Sequence, residues 1–245
     1  MNLDSTGTTL LTGSDASRLN ASSYTGLPKM VFETNETGNS EIFISDLDGS
    51  GAVNLTSNGG EDFDPVVSRD GSKIAFLSNR SGATRLYVMN SDGSGLTEIS
   101  ALAGMDGLGI ALNADGSEIA FSAAPSGWPQ IYVGSTNGTG VTNISNDLNS
   151  FDITPCFSND GSKVLYSKDG ELYTMSTTGT NKTFVFGSTS DIEFPSYTSD
   201  GTKIVFMREV NFAWDLFVVN TNGSSLVNLT QTPVDEFKVA GYIGQ

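Results

Sequence analysis

The chain has 245 residues, 25.8 kDa, 12 Lys+Arg against 28 Asp+Glu, a net charge of −16 and no histidine. At roughly 100 to 200 residues per domain this is one large domain or two small ones. So acidic a chain is excluded as a bare nucleic-acid binder and disfavoured at an anionic membrane surface. The missing histidine excludes Ser-His-Asp and Cys-His triads, His-ligated zinc and imidazole acid/base chemistry. The single Cys156, in the run Thr154-Pro155-Cys156-Phe157, forms no internal disulfide and reads as a packed core thiol. No apolar run reaches the roughly 20 residues of a membrane helix.

In chain order, a short apolar strand recurs after an Asp-Gly turn. Its copies are Met30-Val31-Phe32, Ile74-Ala75-Phe76, Ile119-Ala120-Phe121, Val164-Leu165-Tyr166 and Ile204-Val205-Phe206. The turns of the last four, Asp70-Gly71, Asp115-Gly116, Asp160-Gly161 and Asp200-Gly201, follow one another at 45, 45 and 40 residues. A second run of β-branched and aromatic residues follows each copy, from Ile42-Phe43-Ile44 to Leu216-Phe217-Val218. Asx-Gly turns such as Asp48-Gly49 and Asn222-Gly223 then lead to a more polar outer strand, for example Val53-Asn54-Leu55-Thr56. A fourth, innermost strand precedes each Asp-Gly, as in Phe63-Asp64-Pro65-Val66-Val67-Ser68.

Repeats of this period without intervening helices predict an all-β fold, a β-propeller of four-stranded antiparallel blades. Five complete repeats lie near 19–56, 61–100, 106–145, 151–186 and 191–230. Terminal pieces at 8–12 and 237–242 resemble an outer and an innermost strand, so five- and six-bladed rings both remain open. The whole of 1–245 reads as one propeller domain.

The pattern Pro65-Val66-Val67-Ser68-Arg69-Asp70-Gly71-Ser72-Lys73-Ile74-Ala75-Phe76, then Leu86-Tyr87-Val88-Met89-Asn90 and Asp92-Gly93, resembles the PD40, or WD40-like, repeat of TolB-like β-propellers. A family proline before Asp-Gly is replaced here by Arg69, Ala114, Asn159 and Ser199. The resemblance implies a non-catalytic protein- or peptide-binding module outside the cytoplasm, in the periplasm or at the cell surface, with any signal sequence outside this stretch. It also implies a channel that can hold a cation, and calcium suits the carboxylate-rich, histidine-free composition best.

Acidic residues cluster before the innermost strands: Glu61, Asp62, Asp106, Asp152, Asp191, Glu193, Asp235 and Glu236. Around one axis they would form an acidic funnel rim for a protein or peptide of basic or polar character. Trp128 and Trp214, placed in loops between the second and third strands, could share that face and stack on a glycan or anchor a partner. The alternative function is a carbohydrate-binding or carbohydrate-active propeller, a lectin or a glycosidase working with paired carboxylates. No nucleic acid and no membrane insertion are expected, and the chain is expected as a monomer or a module of a larger protein.

Overall fold

The computed structural model describes residues 18–23, 29–100, 109–188 and 190–230, and these contain no helix. They form five four-stranded sheets, each an antiparallel meander of consecutive strands. The first holds β1 (Arg18–Ser23), β2 (Lys29–Thr34), β3 (Glu41–Asp46) and β4 (Val53–Asn54). The second holds β5 (Asp62–Val67), β6 (Lys73–Ser78), β7 (Arg85–Asn90) and β8 (Thr97–Ser100). The third holds β9 (Ile110–Leu112), β10 (Glu118–Ala123), β11 (Gln130–Ser135) and β12 (Thr142–Asn143). The fourth holds β13 (Asp152–Phe157), β14 (Lys163–Lys168), β15 (Glu171–Ser176) and β16 (Thr183–Phe186). The fifth holds β17 (Ile192–Tyr197), β18 (Lys203–Val210), β19 (Ala213–Asn220) and β20 (Val227–Asn228). Successive first strands touch one another, β1 with β5, β5 with β9, β9 with β13 and β13 with β17, so they form the inner edge of the blades. The predicted terminal strands 8–12 and 237–242 lie outside the described residues.

The Asp-Gly turns explain why the repeat needs its motif. Asp70 accepts from the Ser68 hydroxyl at 2.6 Å and the Ser72 amide at 3.0 Å, and the Lys73 amide closes onto Ser68 Oγ at 3.0 Å. Gly71 supplies the positive φ of 73° that the turn demands. The same contacts recur at Asp160 and Asp200, whose carboxyls these hydrogen bonds hold down at about 2.

The second, third and fourth sheets have a blade packed on each face, which buries most residues of their second strands on both sides. Val31 and Ile42 of the first sheet pack with Ile74, Phe76, Tyr87 and Met89 of the second. Ala75, Leu77, Leu86 and Val88 then pack with Ile119 and Phe121 of the third, and the pattern continues through Ala120, Ile131, Val164 and Tyr166 to Leu165, Leu172, Ile204 and Phe206. Cross-strand aromatic pairs knit the centre of each sheet, with Phe76 and Tyr87 5.9 Å apart and Phe121 and Tyr132 5.6 Å apart. The fifth sheet differs on its far face, where Leu229 is 53% exposed although the corresponding Ile99 and Ile144 are 4% exposed. Cys156 lies on β13, outside these core clusters; the residue is half-buried, while burial of its thiol against Ser196 and Tyr197 pushes the thiol up.

Candidate functional site

The innermost strands share a break in their regular geometry. Pairing with the second strand slips between Phe63 and Val66, between Ile153 and Cys156, and between Glu193 and Ser196. At each slip one residue turns left-handed: Asp64 at φ 53°, Thr154 at 51° and Phe194 at 49°, with Gly109 at 119° in the corresponding place on the third sheet. In the second, fourth and fifth sheets a β-bulge at this point bends the innermost strand and sets how the residues before it leave the sheet.

The loops between second and third strands reach the same rim as the residues leading into the innermost strands. Glu61 and Asn79 bond mutually, the Glu61 amide to Asn79 Oδ1 at 2.8 Å and the Asn79 amide to the Glu61 carbonyl at 3.1 Å. Phe151 and Asp169 do the same at 2.9 and 3.0 Å, and the Glu209 amide donates to the Asp191 carbonyl. These bonds hold the ends of the second strands, and the loops beyond them, beside the residues that lead into the innermost strands.

The acids themselves occupy different registers. Glu61 and Asp191 sit one residue before the strand and are exposed. Asp62 and Asp152 are the first strand residues, lie opposite Ser78 and Lys168, and are 0% exposed. Glu193 stands one step further along, opposite Met207, in the place that Phe63 and Ile153 hold in other blades, and burial with Asp191 nearby pushes its carboxyl up. Asp106, Asp235 and Glu236 lie outside the described residues. Among the described residues the rim acids thus divide into an exposed set and a buried set.

Their partners also differ. The Glu61 carboxylate accepts from the Ser40 amide at 2.6 Å and ties the first blade to the second. Asp62 receives Arg80 Nη2 at 2.8 Å on each oxygen and the Asn58 side-chain amide besides. Arg80 in turn lies over Phe76 and Tyr87, 5.3 and 5.1 Å from their ring centres. Asp152 has neither carboxylate oxygen in a hydrogen bond, and burial raises its pKa. Beside Asp64, Glu33 accepts from the Ser40 hydroxyl at 2.8 Å and is also raised by burial. No group of three or more His, Cys, Asp or Glu that could hold a metal ion occurs among the described residues.

Trp128 falls in the turn between β10 and β11, as expected, and is 51% exposed. Trp214 does not lie in a loop: it is on β19 opposite Glu209, because β18 and β19 each run eight residues and meet in a two-residue turn, Asn211-Phe212. Both turn residues have positive φ, and Phe212 stands at the tip 96% exposed. Sequence reasoning missed Phe212, although an Asx residue between two apolar runs marks such a turn. Leu148 and Phe151, also on this rim, are 60% and 39% exposed.

Sequence reasoning also missed a buried clamp at the start of the third strands. Glu41, Gln130 and Asp215, 2%, 0% and 4% exposed, accept from the hydroxyls of Thr56, Ser145 and Thr230. Each of those hydroxyls accepts the amide of the following residue, Ile42, Ile131 or Leu216, at 3.0 Å. A polar residue opening an apolar strand was the available signal. These groups fasten the third strand to the segment that follows the outer strand, and their bonding is spent there.

A family model, the TolB beta propeller domain (PD40), matches residues 25–108. No curated protein matches in sequence. Among solved structures, TolB from Acinetobacter baumannii superposes with a TM-score of 0.71 at 20% identity over 89% of this chain, which spans 55% of that protein. An oligogalacturonate lyase in complex with manganese gives a TM-score of 0.69 at 16% identity, over 91% of this chain and 69% of the other. A chain of a nidogen/laminin complex gives 0.64 at 12% identity, over 85% and 78%. At these identities the likeness is one of fold.

Proposed function

We propose, for a chain that folds as a TolB-like β-propeller, that it is a non-catalytic protein- or peptide-binding module working outside the cytoplasm. One observation carries this reading: the rim that holds the exposed acids Glu61 and Asp191 also displays Trp128, Leu148, Phe151 and Phe212 to solvent. Phe212 is the most telling of them. A bulky side chain in a left-handed turn position, fully in water, stabilises the isolated chain neither by conformation nor by burial, and contact with a partner is the role assigned to it in this reading. Aromatic anchors among carboxylates suit a polypeptide with basic and apolar side chains. The extracytoplasmic assignment follows the TolB likeness.

The rim acids lend less support to catalysis. Asp62 is locked to Arg80 and Glu61 to the Ser40 amide, which leaves neither free to move a proton. The lyase likeness and exposed Trp128 keep a carbohydrate ligand as the second reading.

Selection of binders from a random peptide library displayed on phage tests the proposal. Selected peptides should lose at least tenfold in affinity against Trp128→Ala or Phe212→Ala, and none against Leu47→Ala in the turn between β3 and β4 at the opposite end. Peptides indifferent to both aromatic changes would refute the rim as the docking face. A glycan array with hits removed by Trp128→Ala would transfer the face to carbohydrate.

A further inference from the structure

The junction between the third and fourth sheets contains polar groups that the protein itself leaves unsatisfied. Asp152 opens β13 at 0% exposure, and neither of its oxygens accepts a hydrogen bond. The nearby hydroxyls are committed elsewhere, Ser145 Oγ to Gln130 Oε1 at 3.1 Å and Ser150 Oγ to the Asp147 carbonyl at 3.2 Å. The Lys168 ammonium sits 2.6 Å from Asp147 and stops 3.9 Å from Asp152. Two residues on, the Thr154 hydroxyl is buried without a partner, on a backbone whose φ of 51° is rare for a β-branched residue. A buried carboxylate in this condition is costly, and unsatisfied groups of this kind mark places where a ligand completes the bonding.

The junction between the first and second sheets shows what such a carboxylate takes. Asp62 has the same register and the same burial, and it is satisfied by a guanidinium lying over an aromatic pair and by the Asn58 amide. Arg80 lies two residues beyond Ser78, the strand partner of Asp62; two residues beyond Lys168, the strand partner of Asp152, stands Gly170. Asp147 replaces Asn58: its amide donates to Gln130 Oε1 as the Asn58 amide donates to Glu41 Oε1. The fourth sheet keeps the aromatic pair, as Tyr166 and Tyr173 with ring centres 6.2 Å apart. Both donors have been deleted while the acceptor and the aromatic floor remain.

We propose that this junction is an arginine-recognition site, in which the Asp152 carboxylate receives the guanidinium of a bound polypeptide as Asp62 receives Arg80. The proposal rests on the binding reading above and names the chemistry of the partner. The neighbourhood fits it. The Pro129 carbonyl accepts from the Asp152 amide at 3.1 Å and from Gln130 Nε2 at 2.8 Å, so the segments carrying exposed Trp128 and Phe151 are tied together beside the acid. Side chains flanking the arginine would rest on these two. The way in is marked by Lys168, whose side chain, 23% exposed, bridges the 42% exposed Asp147 and the 1% exposed Asp152. A guanidinium displaces that ammonium toward Asp147, already its closer partner. A planar fork matches a carboxylate on both oxygens, which a single ammonium does not, so arginine is favoured over lysine.

The test titrates ethylguanidinium, ethylammonium and neutral ethylurea into the isotopically labelled full chain and follows the backbone amide resonances of Asp152, Ile153 and Thr154. Saturating shifts are expected with ethylguanidinium, at least fivefold weaker binding with ethylammonium, and no saturation with ethylurea. Asp152→Asn should abolish the saturation with its remaining spectrum intact, and Asp48→Asn, in the turn between β3 and β4, should leave it unchanged. Saturation that survives Asp152→Asn, equal response to ethylurea, or no saturating response at all overturns the proposal. A rim-binding peptide that still depends on Trp128 but binds Asp152→Asn with unchanged affinity also overturns it, and leaves the binding platform standing.

Discussion

Two junctions between blades use one architecture and arrive at opposite electrostatic states. In both, the first residue of an innermost strand is a fully buried aspartate opposite the end of the second strand. At the first, Asp62 is held by two donor side chains, Arg80 and Asn58. At the second, those positions are Gly170 and Asp147, and Asp152 is left with an ammonium 3.9 Å away. Blade packing therefore does not require the charge to be neutralised in this place. A repeat conserves a shape at this register, and the chemistry within the shape is free to diverge toward stability in one blade and toward ligand binding in another.

The largest effect should come from opening the satisfied junction. Arg80→Met removes the partner of a buried carboxylate, and breaking a buried pair from one side costs about 3 to 5 kcal/mol. Urea denaturation should show that loss in the midpoint. A loss below about 1 kcal/mol would mean that Asp62 is solvated and that the contrast between the junctions is false.

The same aspartate-to-asparagine change should have opposite signs at the two sites. Asp62→Asn discards a charge that Arg80 needs and destabilises, whereas Asp152→Asn removes a buried charge that accepts no hydrogen bond and has only the Lys168 ammonium at 3.9 Å, and stabilises by about 1 to 2 kcal/mol at neutral pH. The gain must also depend on pH. Burial raises the carboxyl of Asp152 above its unfolded value, so its favourable contribution is fully present below about pH 4, the unfolded range of aspartate, and is lost as pH rises through the raised value. The advantage of Asp152→Asn in melting temperature should therefore be smallest in acid and grow toward neutrality. Asp160, held down at about 2 by its turn, runs the other way: the deficit of Asp160→Ala should be present at neutral pH and fade as pH falls from about 4 toward about 2. Parallel pH profiles for the two variants would contradict both assignments.

This contrast was only half legible in the sequence. The repeat was readable because Asp-Gly turns and apolar strands recur every 40 to 45 residues, and the described residues form five four-stranded sheets. The rim acids were readable as a set, since Glu61, Asp62, Asp152 and Asp191 all precede or open innermost strands. Their separation into exposed and buried residues was not, because strand faces alternate with every residue and the bulge resets that alternation within the strand. Trp214 was misplaced for a related reason: the β18–β19 pairing continues through Arg208 and Glu209, charged residues that look like a loop when read alone. The two donors of Asp62 come from different blades, Asn58 before the strand and Arg80 after it, a relation visible only once the sheets are stacked.

The smallest predicted change isolates the second unsatisfied group of the fourth blade. Thr154→Val keeps the branched shape and removes the buried hydroxyl that lacks a partner. The left-handed backbone is equally strained in both residues, so the strain cancels and only the desolvated hydroxyl differs. The variant should gain about 0.5 to 1 kcal/mol in chemical denaturation, since an unpartnered polar atom is replaced by a methyl of the same shape. If Thr154 and Asp152 complete one ligand site, the gain should shrink when saturating ethylguanidinium is present, because the ligand stabilises the wild-type chain through a group the valine lacks. A gain that is the same with and without the ion would place Thr154 outside the arginine site and confine the contrast between the two junctions to the aspartates.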